Sequence, residues 1–140
     1  MAYDFQVTVD SSGPHDLAEW WAETLGWRVE PTDAAFIRGL VDQGAVTEAE
    51  TIVHRGQLMW RAGAAIVHPD NGRRVLFQVV PEGKTVKNRV HLDVRVGADR
   101  IEEELARLTE RGATFLHRGE QGPYSWVTLA DPEGNEFCLT

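Results

Sequence analysis

The residues best suited to chemistry lie on one predicted strand, 89–96. Polar and apolar side chains alternate along it, so that Arg89, His91, Asp93 and Arg95 share one face. His91 and Asp93 are about 6–7 Å apart along the backbone, near enough to share a ligand or a water, and histidine is the side chain most suited to acid–base chemistry near neutrality. Two interpretations stay open: a solvated sheet face, which is common in antiparallel sheets, or a face that recognises or converts a ligand.

Basic residues precede this strand. The segment 73–95 carries a net charge of +4 within a chain whose net charge is −8. Lys84, Lys87 and Arg89 are either solvated loop charges or a clamp for a carboxylate or phosphate, which arginine can bind in a bidentate manner. The segment therefore favours a small anionic ligand.

Aromatic residues and the single cysteine give further candidates. Of five tryptophans, Trp60 and Trp126 are candidates for an aromatic cavity wall, with core packing as the alternative. Cys138 is interpreted as a buried small apolar residue, or as a nucleophile paired with His91. The sequence contains no Gly-rich phosphate loop, CxxC, GxSxG or HExxH motif.

Two copies of one order of elements, strand, helix and three strands, position these residues. In the first copy the predicted strands are 4–10, 27–31, 64–68 and 74–80, and the helix is 14–25; in the second they are 89–96, 113–118, 125–130 and 136–139, with a helix at 98–111. The first strands align at an offset of 87, which matches Asp4 with His91. An insert at 33–60, expected to be helical, interrupts the first copy. The pattern predicts an internal duplication.

Length and charge restrict the class of protein. A chain of 140 residues is one domain in size. The acidic balance excludes a general nucleic-acid binder and disfavours an anionic membrane surface. A single cysteine, no apolar run of membrane-spanning length and no signal peptide at the start indicate a cytoplasmic protein.

The doubled pattern occurs together with particular motifs, which are Trp20-Trp21, Leu25-Gly26-Trp27, the stretch from Val80 to Asp93 and Asp131-Pro132-Glu133-Gly134-Asn135-Glu136-Phe137. In these features the sequence resembles the vicinal oxygen chelate superfamily, which includes glyoxalase I, bleomycin-resistance proteins and extradiol dioxygenases. It looks like an uncharacterised glyoxalase-like branch common in actinobacteria. The resemblance implies an α+β fold in a single domain, 1–140, with two βαβββ modules, about 1–82 and 83–140. Their mixed sheets would form a cup-shaped ligand cavity, often within a homodimer.

Metal-dependent members of this superfamily hold a divalent ion with the first and last strands of each module. The corresponding positions here are Asp4, Gln78, His91 and Cys138. Only His91 is a usual ligand of the family, since Gln78 is neutral and a thiol does not suit the octahedral O/N site of these ions. We therefore expect no catalytic metal and no other cofactor.

The sequence therefore predicts a glyoxalase-like protein that binds a small anionic or aromatic organic ligand without metal, for instance to sequester a toxic or antibiotic compound. The alternatives are a lyase or isomerase with His91 as the acid–base group, a divergent metal enzyme, or a regulatory subunit that uses the fold only for association. Beside His91, the predicted ligand-binding residues are Asp4, Gln6, Thr8, Trp60, Gln78, Arg89, Asp93, Arg95, Trp126 and Cys138. A homodimer is the expected assembly.

Overall fold

Two units, Met1–Glu82 and Gly83–Thr140, make up the computed structural model, which describes all 140 residues. Unit 1 contains β1 (Val7–Ser11), α1 (Pro14–Leu25), β2 (Arg28–Val29), α2 (Ala34–Asp42), β3 (Thr51–His54), β4 (Gln57–Trp60), β5 (Gly63–Val67) and β6 (Arg74–Val79). Unit 2 contains β7 (Leu92–Val94), α3 (Ile101–Glu110), β8 (Thr114–Gln121), β9 (Tyr124–Ala130) and β10 (Glu136–Leu139). Short 3₁₀ turns occur at Glu48–Glu50 and Ala98–Arg100.

The main sheets of the two units have the same topology. Their strand orders are β1-β6-β5-β2 and β7-β10-β9-β8. In each sheet the first strand pairs in parallel with the last, and the other pairs are antiparallel. The predicted α+β class and the repeated strand–helix–three-strand order are therefore confirmed.

The helices α1 and α3 each cover one face of the main sheet in their unit. In unit 1, α1 contacts β5 and β6, and its buried Leu17 and Trp21 belong to the same core as Ile66 and Phe77. In unit 2, α3 contacts β8, β9 and β10. The buried apolar residues there are Ile101, Leu108, Val127, Leu129, Phe137 and Leu139. Because strand side chains alternate between faces, the residues between these core positions lie on the faces that the helices leave uncovered.

The strand pairing corrects the predicted alignment of the two copies. When the last strands are matched at the positions given above, Gln78 with Cys138, their register partners are Asp10 and Asp93. Asp10 therefore corresponds to Asp93, an offset of 83 rather than 87. The two offsets differ by an even number, so alternation of period two fits both, and only the pairing of each first strand with its last strand distinguishes them.

This register changes which residue corresponds to His91. The counterpart of His91 is Thr8, and the prediction that Asp4 occupies this place is wrong. Asp4 precedes β1, and its Oδ1 accepts a hydrogen bond of 2.8 Å from Phe5 N. The first strand of unit 1 therefore places a neutral hydroxyl, not a carboxylate, where unit 2 has its histidine.

The predicted strand 89–96 is shorter than expected. Only Leu92–Val94 pair with β10. Val90, assigned to the apolar face, is 80% exposed, whereas Leu92, Val94 and Val96 are half-buried. The alternation therefore holds from His91 onward and fails before it, because the chain there has no partner strand.

The insert 33–60 is only partly helical. Asp33 Oδ1 accepts a hydrogen bond of 3.0 Å from Phe36 N and caps α2, as expected for a helix start. After the 3₁₀ turn, however, β3 and β4 form a hairpin. Its two-residue loop, Arg55-Gly56, has positive φ at both positions, 47° and 80°. Hairpins of this type usually have Asn-Gly or Asp-Gly there, so this turn gave no recognisable signal.

Candidate functional site

A cavity of about 290 Å³ opens on the uncovered face of the unit 1 sheet. The sheet contributes Ala65 and Leu76, which are cross-strand partners, together with Arg74. Other walls come from the loop 30–33, from α2 and from Trp60 at the end of β4. The insert that interrupts the first copy therefore contributes one wall of this cavity, through Asp33, Phe36, Ile37 and Trp60.

The lining combines two aromatic side chains with fixed polar groups. Phe36, on α2, is 61% exposed, and Trp60 is half-buried. Arg74 Nε donates a hydrogen bond of 2.8 Å to Glu30 Oε2, and its Nη1 donates one of 2.9 Å to Gln6 Oε1. Because Glu30 and Asp33 both line the cavity, it carries no excess of positive charge. The lining suits a ligand with an aromatic part and neutral hydrogen-bonding groups, and does not favour an anion.

A chain of contacts with α1 holds Trp60 in place. His15 Nε2 donates a hydrogen bond of 2.8 Å to Trp60 O, and the His15 ring stacks on His54 at 5.2 Å. His54 Nε2 in turn donates to Glu19 Oε1 at 2.7 Å. Burial raises the pKa of Glu19, but the hydrogen bonds from His54 and Arg55 outweigh it, so this pKa is lowered. The hairpin that carries the aromatic wall is therefore anchored to α1.

The uncovered face of unit 2 holds a row of polar side chains. Asp93, Cys138 and Thr128 are directly paired across β7, β10 and β9. His91 Nε2 lies 3.2 Å from Asp93 Oδ1, and Cys138 Sγ lies 3.3 Å from Thr128 Oγ1. Donor atoms of His91, Asp93 and Cys138 all lie within 4.8 Å of one another. The structure thus brings together three predicted site residues that the sequence separates by up to 47 positions.

Trp126 lies on the same face of β9 as Thr128, two residues before it. Its register partner is Gly119, and a Cβ at Gly119 would clash with the Trp126 indole ring. This indole thus packs on the backbone of β8.

The two predicted arginines of the strand 89–96 are both exposed. Arg95 lies two residues after Asp93 on the same face, and Arg89 precedes β7.

Lys84 does not belong to an anion clamp. Its Nζ donates a hydrogen bond of 2.9 Å to Glu136 Oε1, and Asn88 N donates one of 3.0 Å to Glu136 Oε2. Burial raises the pKa of Glu136, but these hydrogen bonds outweigh it and lower the pKa to about 2. Lys84 is thus neutralised within unit 2, and it holds the segment before His91 against β10.

The remaining predicted residues lie in unit 1. Thr8 is exposed on β1 opposite Leu76, and Gln78 is exposed on β6, so both share the cavity's face of the sheet without lining the cavity. Gln6 contacts the cavity residue Arg74, from which its Oε1 accepts a hydrogen bond.

Sequence reasoning missed Phe36, Arg74, Leu76 and Thr128. Arg74 lies in the basic segment 73–95, and Thr128 is two residues from Trp126 and therefore on the same strand face, so the sequence contains a signal for both. Phe36 has the helical spacing of a core residue, and nothing in the sequence marks it as a cavity residue.

The donors do not fit the octahedral O/N site that metal-dependent superfamily members use. In unit 1 the positions concerned provide a hydroxyl, Thr8, and an amide, Gln78, neither of which is anionic. In unit 2 the last-strand position provides a thiol, that of Cys138, which is 7% exposed and hydrogen-bonded to the Thr128 hydroxyl. Thiols select softer ions than Mg²⁺ or Mn²⁺. These side chains therefore do not provide the octahedral O/N coordination that such a metal requires.

Comparison with solved structures supports the same fold. FosX, a fosfomycin resistance protein from Mesorhizobium loti, has a TM-score of 0.62 and 8% identity, with 99% of this chain and 90% of that chain covered. The oxidase ChaP-H2 has a TM-score of 0.60 and 14% identity, with 99% and 93% covered. TioX from Micromonospora sp. ML1 has a TM-score of 0.53 and 17% identity, with 99% and 97% covered. At these identities the likeness concerns the fold alone.

No curated protein sequence matches the chain significantly. The family model of the glyoxalase-like domain matches residues 6–140, which is nearly the whole chain. The predicted relation to the vicinal oxygen chelate superfamily is thereby confirmed, and the chain belongs to the glyoxalase-like domain family.

Proposed function

We propose that this protein binds a small organic molecule in the unit 1 cavity, without the octahedral metal of its metal-dependent relatives. The observation that carries the proposal is the cavity itself: about 290 Å³, between Phe36 and Trp60, beside a guanidinium held by two partners. A concave lining that combines aromatic and aliphatic side chains with a few fixed polar groups is typical of small-molecule sites. The ligand class is an aromatic compound with neutral hydrogen-bonding groups.

The lining favours binding over catalysis. Its titratable groups already have structural roles: Glu30 pairs with Arg74, and Asp33 Oδ1 caps α2. It contains no cysteine, serine or histidine that could act as a nucleophile or a base near neutral pH. We therefore propose a binding site rather than a catalytic one.

Sequestration of a toxic or antibiotic compound is one form of this function. One protein of the same fold is a fosfomycin resistance protein. A shared fold does not carry a role with it, so sequestration is our proposal for this chain and no compound is assigned. None of the helices combines the length and the apolar character that a membrane span requires.

The proposal can be tested with two fluorescent probes of similar shape, neutral phenylnaphthylamine and anionic anilinonaphthalene sulfonate. We expect saturable binding of the neutral probe, at least as tight as that of the anionic one, because the lining has no excess of positive charge. Phe36→Ala and Trp60→Ala should each weaken binding about tenfold, which corresponds to about 1.4 kcal/mol.

Phe115→Ala is the matched control, since Phe115 is an exposed phenylalanine of unit 2 and lies outside the cavity lining. It should leave the affinity unchanged. Equal affinities in the Phe36 and Phe115 variants would refute the assignment of the cavity, and so would tighter binding of the anionic probe that is unaffected by Trp60→Ala.

A further inference from the structure

Arg74 and Glu30 form an ion pair in the lining of the unit 1 cavity, and this pair leaves part of each group without a protein partner. Arg74 Nε donates a hydrogen bond of 2.8 Å to Glu30 Oε2, and Arg74 Nη1 donates one of 2.9 Å to Gln6 Oε1. Neither Arg74 Nη2 nor Glu30 Oε1 forms a hydrogen bond within the chain. The pair therefore presents an unused donor and an unused acceptor.

Covalent geometry places this donor and this acceptor side by side. In Arg74 the Nη2 and Nε atoms are bonded to one carbon, and in Glu30 the Oε1 and Oε2 atoms are bonded to one carbon. Because Nε and Oε2 are joined by a short hydrogen bond, the free N–H and the free oxygen lie at the two ends of one polar edge. An edge of this kind matches a ligand group in which a carbonyl stands beside an N–H, and an amide is such a group.

The backbone and a second partner hold the polar edge in place. Glu30 N donates a hydrogen bond of 2.8 Å to Ala65 O, which attaches the loop of Glu30 to β5, while Arg74 belongs to β6 and is restrained by Gln6. Groups that are already ordered lose less freedom when a ligand binds. The side chains of Arg74 and Glu30 are 38% and 43% exposed, so both remain accessible to a ligand.

The charges of the lining distinguish an amide from charged ligands. The charged side chains there are two carboxylates, Glu30 and Asp33, and one guanidinium, Arg74. A ligand carboxylate would be repelled by both carboxylates and has no donor for Glu30 Oε1. A ligand ammonium accepts no hydrogen bond, so it would leave Arg74 Nη2 without a partner. A neutral group with one donor and one acceptor satisfies both atoms.

We propose that Arg74 and Glu30 select a small aromatic amide as the ligand of the unit 1 cavity, an inference that rests on the proposed function of this cavity. The amide carbonyl accepts a hydrogen bond from Arg74 Nη2, and the amide N–H donates one to Glu30 Oε1. A ligand that lacks either group covers a polar atom without replacing its bond to water, which costs free energy.

The size of the cavity restricts the aromatic part of the ligand. Its volume of about 290 Å³ lies at the lower end of the range of roughly 300–1,000 Å³ that is usual for small-molecule sites. One or two fused rings suit this volume, and Phe36 and Trp60 provide the aromatic contacts.

The test is displacement of bound phenylnaphthylamine from the full chain by naphthalene compounds of similar size. Naphthamide has both a carbonyl and an N–H, methyl naphthoate has the carbonyl only, and naphthoate is an anion. We expect naphthamide to bind at least about tenfold more tightly than methyl naphthoate, because only the amide pairs with Glu30 Oε1. Naphthoate should bind most weakly of the three.

Two variants separate the contributions of the donor and the acceptor. Glu30→Met removes the acceptor and should reduce the preference for naphthamide over methyl naphthoate to less than about threefold. Arg74→Met removes the donor and should weaken both carbonyl compounds relative to methylnaphthalene, which has no polar group. Arg73→Met is the matched control, since Arg73 is exposed and lies outside the lining, and it should leave all affinities unchanged.

Equal binding of naphthamide and methyl naphthoate by the wild type would overturn the proposal, and so would a preference that Glu30→Met leaves intact. If Trp60→Ala still weakens phenylnaphthylamine binding in that case, the failure concerns Arg74 and Glu30 alone, and the proposed function stands. Absence of saturable phenylnaphthylamine binding would refute the proposed function and the choice of an amide together.

Discussion

Glu136 is the residue for which the structure allows the most quantitative prediction, because one carboxylate holds the segment before His91 in place. Its side chain is 15% exposed and accepts hydrogen bonds from Lys84 Nζ and Asn88 N. Glu136→Gln preserves the size of the side chain and removes its charge. The variant should fold and should lose the part of its stability that depends on ionisation of this carboxyl.

The magnitude follows from the pKa of Glu136, which is lowered from 4.5 to about 2 in the folded chain. A carboxyl whose pKa is lower in the folded state stabilises the fold above its unfolded pKa, and this contribution is lost as the pH falls through the folded pKa. The window therefore runs from about pH 5 down to about pH 2. The full difference sets an upper limit of about 3 kcal/mol. Solvent screening of an ion pair near the surface reduces the expected loss to about 1–2 kcal/mol.

Urea unfolding of the wild type and Glu136→Gln, followed by tryptophan fluorescence across this pH range, measures the effect. The variant should be less stable at pH 7, and the difference should shrink progressively below about pH 5. Glu120→Gln, an exposed glutamate on β8, is the control and should match the wild type throughout. A difference that stays constant with pH would refute the reasoning, because it would show loss of packing rather than of a charge.

Three further predictions concern the turn, the sheet and the aromatic wall. Asp131→Ala removes the buried carboxylate that accepts hydrogen bonds within the turn 131–135, and it should lower the free energy of unfolding by about 2–3 kcal/mol, measured by urea unfolding. A smaller loss would mean that water replaces the carboxylate. Gly63→Ala places a Cβ against Phe77 O and should cost at least about 2 kcal/mol, so an unchanged Tm would contradict the close approach. His15→Phe removes the hydrogen bond to Trp60 O and should weaken binding of phenylnaphthylamine about three- to tenfold, whereas unchanged affinity would show that the hairpin is held by other contacts.

Local patterns predicted the elements well where they were complete. The first helix, expected at 14–25, extends over Pro14–Leu25, because Pro14 suits the first turn and Gly26 adopts a φ of 69° at its end. The turn 131–135 connects β9 to β10, and the carboxylate of Asp131 accepts hydrogen bonds from the backbone N–H groups of Glu133 and Asn135. These signals involve only a few consecutive residues, so they can be recognised in a single sequence.

The register of the strands and the β3–β4 hairpin could not be predicted from the sequence. An alternation of period two cannot distinguish an offset of 83 from one of 87, and so Asp4 was aligned with His91 in place of Thr8. The β3–β4 hairpin uses Arg55 at a φ of 47°, a conformation that no rule of composition assigns to arginine. Both errors concern pairing between segments, which a local pattern does not specify.

The sequence by itself determined the duplicated strand–helix–three-strand order and the family, because hydrophobic period, capping residues and the terminal motif are local. Only the tertiary structure decided which side chains meet. In the folded chain the insert and the unit 1 sheet enclose a cavity, and Glu136, 52 residues away in the sequence, neutralises Lys84. The tertiary structure also placed Cys138 beside Asp93 through a parallel pairing. These contacts join distant segments whose register depends on how the whole sheet packs, and that packing is a property of the folded chain.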